Sequence, residues 1–209
     1  MHIPDGFLSP ITYVPADVAA AALVWYGMRR VGFESEQIPY IAALSALGFV
    51  FMMVAIPLPG GSSAHLQGVA LMALLFGPWR SFLAFTLVLT VEALIFAEGG
   101  ILVLGVNILA IAFIGSFTAY AVYALLKKFA QTLAIFVATV LSVVSSSLFI
   151  ATVLGIQTLL PHGDKGFFPF DLSVTVPALA IPHLIIGCVE GAVTVALYRY
   201  LYPRVAHVR

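Results

Sequence analysis

Apolar runs long enough to cross a bilayer recur along the chain, separated by short clusters of charged, glycine and proline residues. A bilayer core asks for about 20 apolar residues per helix. Runs of this kind lie near 11–28, 37–57, 64–79, 81–97, 102–126, 129–160 and 172–200, and they predict seven membrane helices. The third run is short, so it is expected to be tilted, buried or partly re-entrant. Turn-forming punctuation separates the runs: FESEQIP, PLPGGSS, GPWR, AEGG, KKF and PHGDKGFFPFD. No strong internal repeat of the kind that marks secondary transporters is visible. One compact transmembrane domain over residues 1–209 is expected.

Composition makes the membrane reading firm. The chain is 62% hydrophobic and 9% charged, where soluble domains average about 25% charged. The expected fold class is therefore an all-α, polytopic helix bundle in a lipid bilayer. Seven passages place Arg29, Arg30, Arg80, Lys127, Lys128, Arg199, Arg204 and Arg209 on one side, and Lys165 alone on the other. The positive-inside rule then sets the C-terminus in the cytoplasm and the N-terminus outside. Zero net charge offers no basic stripe for nucleic acid. The single Cys188 allows neither an internal disulfide nor a cysteine-rich metal site. The first residues lack the basic region of a signal peptide, so Met1 to Phe7 are expected in the mature protein. No GxxxxGK[ST] phosphate loop is present. Active transport would thus draw on an ion gradient or on partner subunits.

Candidate chemistry begins at the first two residues, Met1 and His2. A deprotonated terminal amine binds metal through nitrogen. The next amide nitrogen also binds once it loses its proton, closing a five-membered ring. Nδ1 of a histidine at position two closes a six-membered ring from that same amide. Three nitrogens then share a plane, and a fourth must come from elsewhere. Planar nitrogen coordination favours Ni(II) or Cu(II). His65 is the natural fourth ligand, because it ends the PLPGGSSAH loop on the same expected face. Ser62 and Ser63, with the two glycines before them, suit a close backbone approach. Blander readings stand beside this one: His2 as a solvated terminal residue, and His65 as a helix-start histidine bonded to a backbone carbonyl.

Other polar residues interrupt apolar runs. Asp5 follows Pro4 and could cap a turn that steers residues 1–3 inward. Asp17 follows Pro15 and is expected to cap a helix start. Glu92 and Asn107 lie in membrane runs, where such groups usually face a polar interior. Each could orient a histidine or bond the loop carrying His65, or serve only to join helices. His183 and Glu190 are seven apart and share a helix face. An interhelical clamp is the expectation for that pair, with an ion path as the alternative.

The stretches MHIPDGFL, PLPGGSSAHLQG at 57–68 and HLIIGCVEG at 183–191 together resemble the CbiM/NikM family. These are the substrate-binding membrane subunits, or S components, of energy-coupling-factor transporters for cobalt and nickel. The MHIPDGF opening looks more like the nickel-type member. The resemblance implies Ni(II) as the transported ion, with Co(II) possible and no organic cofactor. It implies Met1, His2 and His65 as ligands, and the cell membrane of a prokaryote as the location. The implied partners are a transmembrane coupling subunit, two cytoplasmic ATPases and a small accessory membrane protein. The main rival is a secondary transporter or channel for a small cation, using Glu92, Glu190 and His183. A membrane enzyme is disfavoured, since no HExxH signature or Ser/His/Asp set is evident.

Overall fold

The computed structural model describes residues 2–58, 62–160 and 167–208, without the side chains of Leu58 and Ser62. It is an all-α bundle with one short hairpin. Helix α1 spans Pro10–Arg30, and α2 spans Ile38–Met53. Strands β1 (Ile56–Leu58) and β2 (Ser62–Ala64) pair antiparallel, with Ile56 opposite Ala64. Helix α3 follows as Val69–Phe76. Then come α4 (Pro78–Phe96), α5 (Leu104–Leu126), α6 (Gln131–Leu159) and α7 (Leu172–Val208).

Five of these helices, α1 and α4 to α7, are long and apolar enough to cross a membrane. Their bounds follow the apolar runs to within three residues, except that α7 continues eight residues past the end of its run. The third run behaves differently. Its last two residues already belong to α4, and its own helix, α3, has only eight residues, a length of about 12 Å at 1.5 Å per residue. That cannot span a bilayer core of about 30 Å. Gly68 (φ 77°) and Gly77 (φ 87°) bracket the helix in conformations that favour glycine. All eight residues are buried, so α3 is an internal element packed in protein. Helix α4 runs back along it: Ser81 Oγ donates to Val69 O at 3.1 Å. The end of the second run is also not helical, because residues 56–58 form β1.

Local signals account for the helix ends. Ser9 caps α1, accepting from Ile11 N, and Pro10 takes the first helical position. Asp171 caps α7 by accepting from Ser173 N at 2.9 Å. Two helices contain π-helical stretches, Glu92–Phe96 at the end of α4 and Ile108–Ile114 within α5. Such stretches re-aim side chains and gather at functional sites. Between them lies a tight turn in which Ala97 (φ 56°) and Gly99 (φ 82°) are left-handed. Arg80, at the start of α4, donates to Gly32 O just beyond α1 at 3.1 Å. Cationic ends of two helices therefore meet.

Candidate metal centre

Residues 2–9 do not trail into solvent; they thread into the bundle. Ile3 and Leu8 are 1% and 2% exposed. Asn107 clamps Ile3 from both sides: Ile3 N donates to Asn107 Oδ1 at 2.9 Å, and Asn107 Nδ2 donates to Ile3 O at 3.1 Å. Gly100 N also donates to Ile3 O, at 2.9 Å. Ser9 N donates to Gln157 Oε1 at 2.9 Å, and Phe168 N to Phe7 O at 3.2 Å. The turn before α5 must come very close. A Cβ on Gly99 would lie 3.2 Å from His2 Cβ, and one on Gly100 would lie 2.1 Å from Asp5 Oδ1.

This seat buries the His2 side chain to 4% exposure. Among the described residues neither of its ring nitrogens has a hydrogen-bond partner. Nε2 lies 3.4 Å from Glu92 Oε2, whose side chain is 1% exposed. Nδ1 is likewise not taken up by any described partner. Nδ1 is the nitrogen that chelation from a terminal His2 requires. Met1 lies outside the described residues.

The second histidine arrives from the hairpin. His65 is 2% exposed, and its ring stacks on that of His2 with centroids 4.9 Å apart and planes 12° apart. His65 Nδ1 donates to Leu66 O at 3.3 Å, which puts the lone pair on Nε2. The segment is held from α7. Glu190, 1% exposed, accepts from Gln67 N and Gly68 N, both at 2.9 Å. One carboxylate thus takes up two backbone donors where the chain turns from β2 into α3. Both histidines stay neutral. Burial pushes His2 down to about 3 from an ordinary 6.5, and burial likewise holds His65 well below that value. Neutral imidazoles are the form that binds metal.

Among the described residues no group of three or more His, Cys, Asp or Glu is disposed to hold a metal ion. Two imidazoles alone do not make a site. The orphaned nitrogens of His2 beside His65 do suit one completed by backbone nitrogens of the terminus.

Other expected residues take specific places. Asn107 positions Ile3, and Glu190 holds the His65 segment. Asp5 does not cap its own turn; its carboxylate accepts from Ile101 N and Leu102 N at 3.1 and 2.9 Å. Asp17 does not cap α1, which starts seven residues earlier at Pro10. It accepts from Gly105 N at 2.7 Å and ties α1 to α5. His183 is buried, bonded to Leu179 O within its own helix at 2.7 Å. Ser63 sits in β2, and of Ser62 only the backbone is described. Lys165 lies outside the described residues. Sequence reasoning missed Gln157, which bonds Ser9 N, Thr12 Oγ1 and Val153 O. A lone amide near the end of a long apolar run was its available signal.

Comparison with known proteins places this arrangement. The family model described as "Cobalt uptake substrate-specific transmembrane region" (CbiM) matches residues 2–208. A fused nickel transport protein NikMN from Rhodobacter capsulatus is 37% identical over 96% of this chain and 61% of its own length. A "Probable fused nickel transport protein LarMN" from Lactiplantibacillus plantarum is 36% identical over 96% of this chain and 64% of its own. The chain therefore spans less than two thirds of these two relatives. A crystal structure of a truncated transition metal transporter superposes with a TM-score of 0.92 at 36% identity, covering 98% of this chain and 99% of that one. The chain belongs to the CbiM family and is a multi-pass membrane protein of prokaryotic type.

Proposed function

We propose that this member of the family is the substrate-binding subunit of an ATP-driven importer for nickel, with cobalt as the alternative cargo. The ion sits in a plane of four nitrogens: the Met1 amine, the His2 amide, His2 Nδ1 and a ring nitrogen of His65. The observation that carries this reading is the buried His2 imidazole, stacked on His65, with neither ring nitrogen hydrogen-bonded. The pocket lies by the start of α1, the end of α4 and the start of α5, opposite the helix ends that carry Arg29, Arg30 and Arg80, so the positive-inside rule puts it on the outer face. Binding releases the amine and amide protons, so affinity falls in acid. Copper binds the same donor set more tightly, and cellular selectivity then rests on metal supply and on which loaded shape the partners accept. Hydrolysis of ATP belongs to two cytoplasmic ATPases, coupled through a transmembrane subunit with a small accessory membrane protein.

Secondary transport through Glu92, Glu190 and His183 has less support. Glu190 spends its two oxygens on backbone donors. The test is elemental analysis of purified protein with its native N-terminus beside a form carrying one extra residue before Met1. Nickel in the first and almost none in the second is expected, because the extension moves the amine and takes His2 out of position two. Equal nickel in both would refute the site.

A further inference from the structure

Seven residues before Glu190, His183 has half of its imidazole unanswered. Nδ1 donates to Leu179 O at 2.7 Å. The tautomer is thereby set, and Nε2 carries the lone pair. The residue is 0% exposed, and Nε2 has no hydrogen-bond partner among the described residues. A buried acceptor left without a donor is costly, and such atoms in native proteins call for a specific explanation, often an ion or a water.

Its position suggests which. His183 and Glu190 belong to one buried stripe of α7, with Leu179, Gly187 and Thr194. Seven helical residues place His183 about 10 Å along α7 from Glu190. Glu190 grips the backbone at Gln67 and Gly68. His65 lies two residues earlier in the direction of the hairpin, about 7 Å of extended chain. Strand β2 packs on α7, and Glu190, on the same stripe as His183, holds the segment that carries His65.

We infer that His183 Nε2 is a second-position ligand for the transported ion, the nitrogen that takes the ion as His65 lets go. The inference rests on the reading that Met1, His2 and His65 hold the ion first. In the exchange, the bond from metal to His65 breaks and one to His183 forms. Both ligands are neutral imidazoles with a lone pair in place, so no proton moves and the charge of the site is unchanged. The ion passes from a ligand on a loop to one on a helix of the bundle. Pro177 and Pro182 lie inside the helix there, and each removes a backbone donor from its ladder near His183.

Copper(II) reports the count directly. Pulsed electron paramagnetic resonance of the copper-loaded protein counts bound imidazoles through their remote nitrogens. The proteins are wild type, H65A, H183A and H65A/H183A, all with the native N-terminus, and a second set uses His183→Leu to keep the core filled. Two imidazoles are expected in wild type, in H183A and in H65A, and one in the double variant. Copper affinity should fall at least tenfold further from H65A to the double variant. A single imidazole in H65A, matching the double variant, would overturn the role of His183 and leave the first site intact. Fewer than two imidazoles in wild type would remove the first site, and this inference with it.

Discussion

Residues 2–9 and residues 62–68 deliver the two stacked histidines by different means. Around His2 the first segment is held by neutral amide bonds spread over several elements, Asn107 on α5, Gly100 in the preceding turn and Gln157 on α6, and farther out its exposed Asp5 carboxylate accepts from Ile101 N and Leu102 N. The second is held by one carboxylate, Glu190, reaching from α7. A distributed neutral clamp fixes position and resists loss of any one bond except the one nearest the ligand. A single charged anchor concentrates the restraint at one point. In the proposed site the histidine that would supply two of the four nitrogens has the more distributed seat, and the one that would supply a single nitrogen hangs on one anchor.

Breaking the neutral clamp should do the most harm. Asn107→Ala leaves Ile3 N–H and C=O short of partners beside His2, at about 1–3 kcal/mol for each unsatisfied group. Nickel affinity, measured by competition with a chromophoric chelator, is expected to fall about 100-fold. Loss below threefold would show that Asn107 does not seat the terminus.

Acid comes next. The folded pKa of His2 is depressed, so the unfolded state binds more protons below the ordinary value of 6.5. Stability of the metal-free protein should fall as pH drops from 6.5 towards about 3, by about 2 kcal/mol at pH 5 for this histidine. Thermal melts in detergent from pH 8 to pH 5 check it, with His2→Asn removing the part due to this residue. A melt profile identical in both proteins would contradict the burial argument.

Releasing the charged anchor ranks third for metal binding. Glu190→Ala should reduce nickel affinity about tenfold, since three of the four nitrogens stay in place, while the melting temperature drops more than it does for Asn107→Ala. Charge-assisted bonds to backbone donors are worth about 1.5–3 kcal/mol each. Affinity loss larger than that of Asn107→Ala would reverse the ranking of the two seats. The smallest effect belongs to Asp5→Ala, whose exposed carboxylate bonds Ile101 N and Leu102 N. Less than a threefold change in affinity and a loss of about 1 kcal/mol in stability are expected.

Hydropathy alone located the long helices, because burial in lipid demands continuous apolar runs. It overstated the third run, since composition does not record that glycines at both ends limit the helix to eight residues. The hairpin over 56–64 was illegible for a related reason: a three-residue strand carries no periodicity to read. Asp17 was misread although Ser9-Pro10 is a good helix start, stronger than a proline and aspartate five and seven residues later. His2 and His65 were legible as a pair through coordination chemistry and loop position. The partners that seat them were legible only as polar residues out of place. Asn107 is 104 residues from Ile3, and Glu190 is 123 from Gln67; separations of that size leave no local trace.

The claim that a terminal amide nitrogen joins the site can be tested most directly by nickel X-ray absorption on the loaded protein with its native N-terminus. The account predicts the edge feature of a planar four-coordinate ion and a first shell of nitrogen alone. A six-coordinate spectrum with oxygen ligands would contradict it.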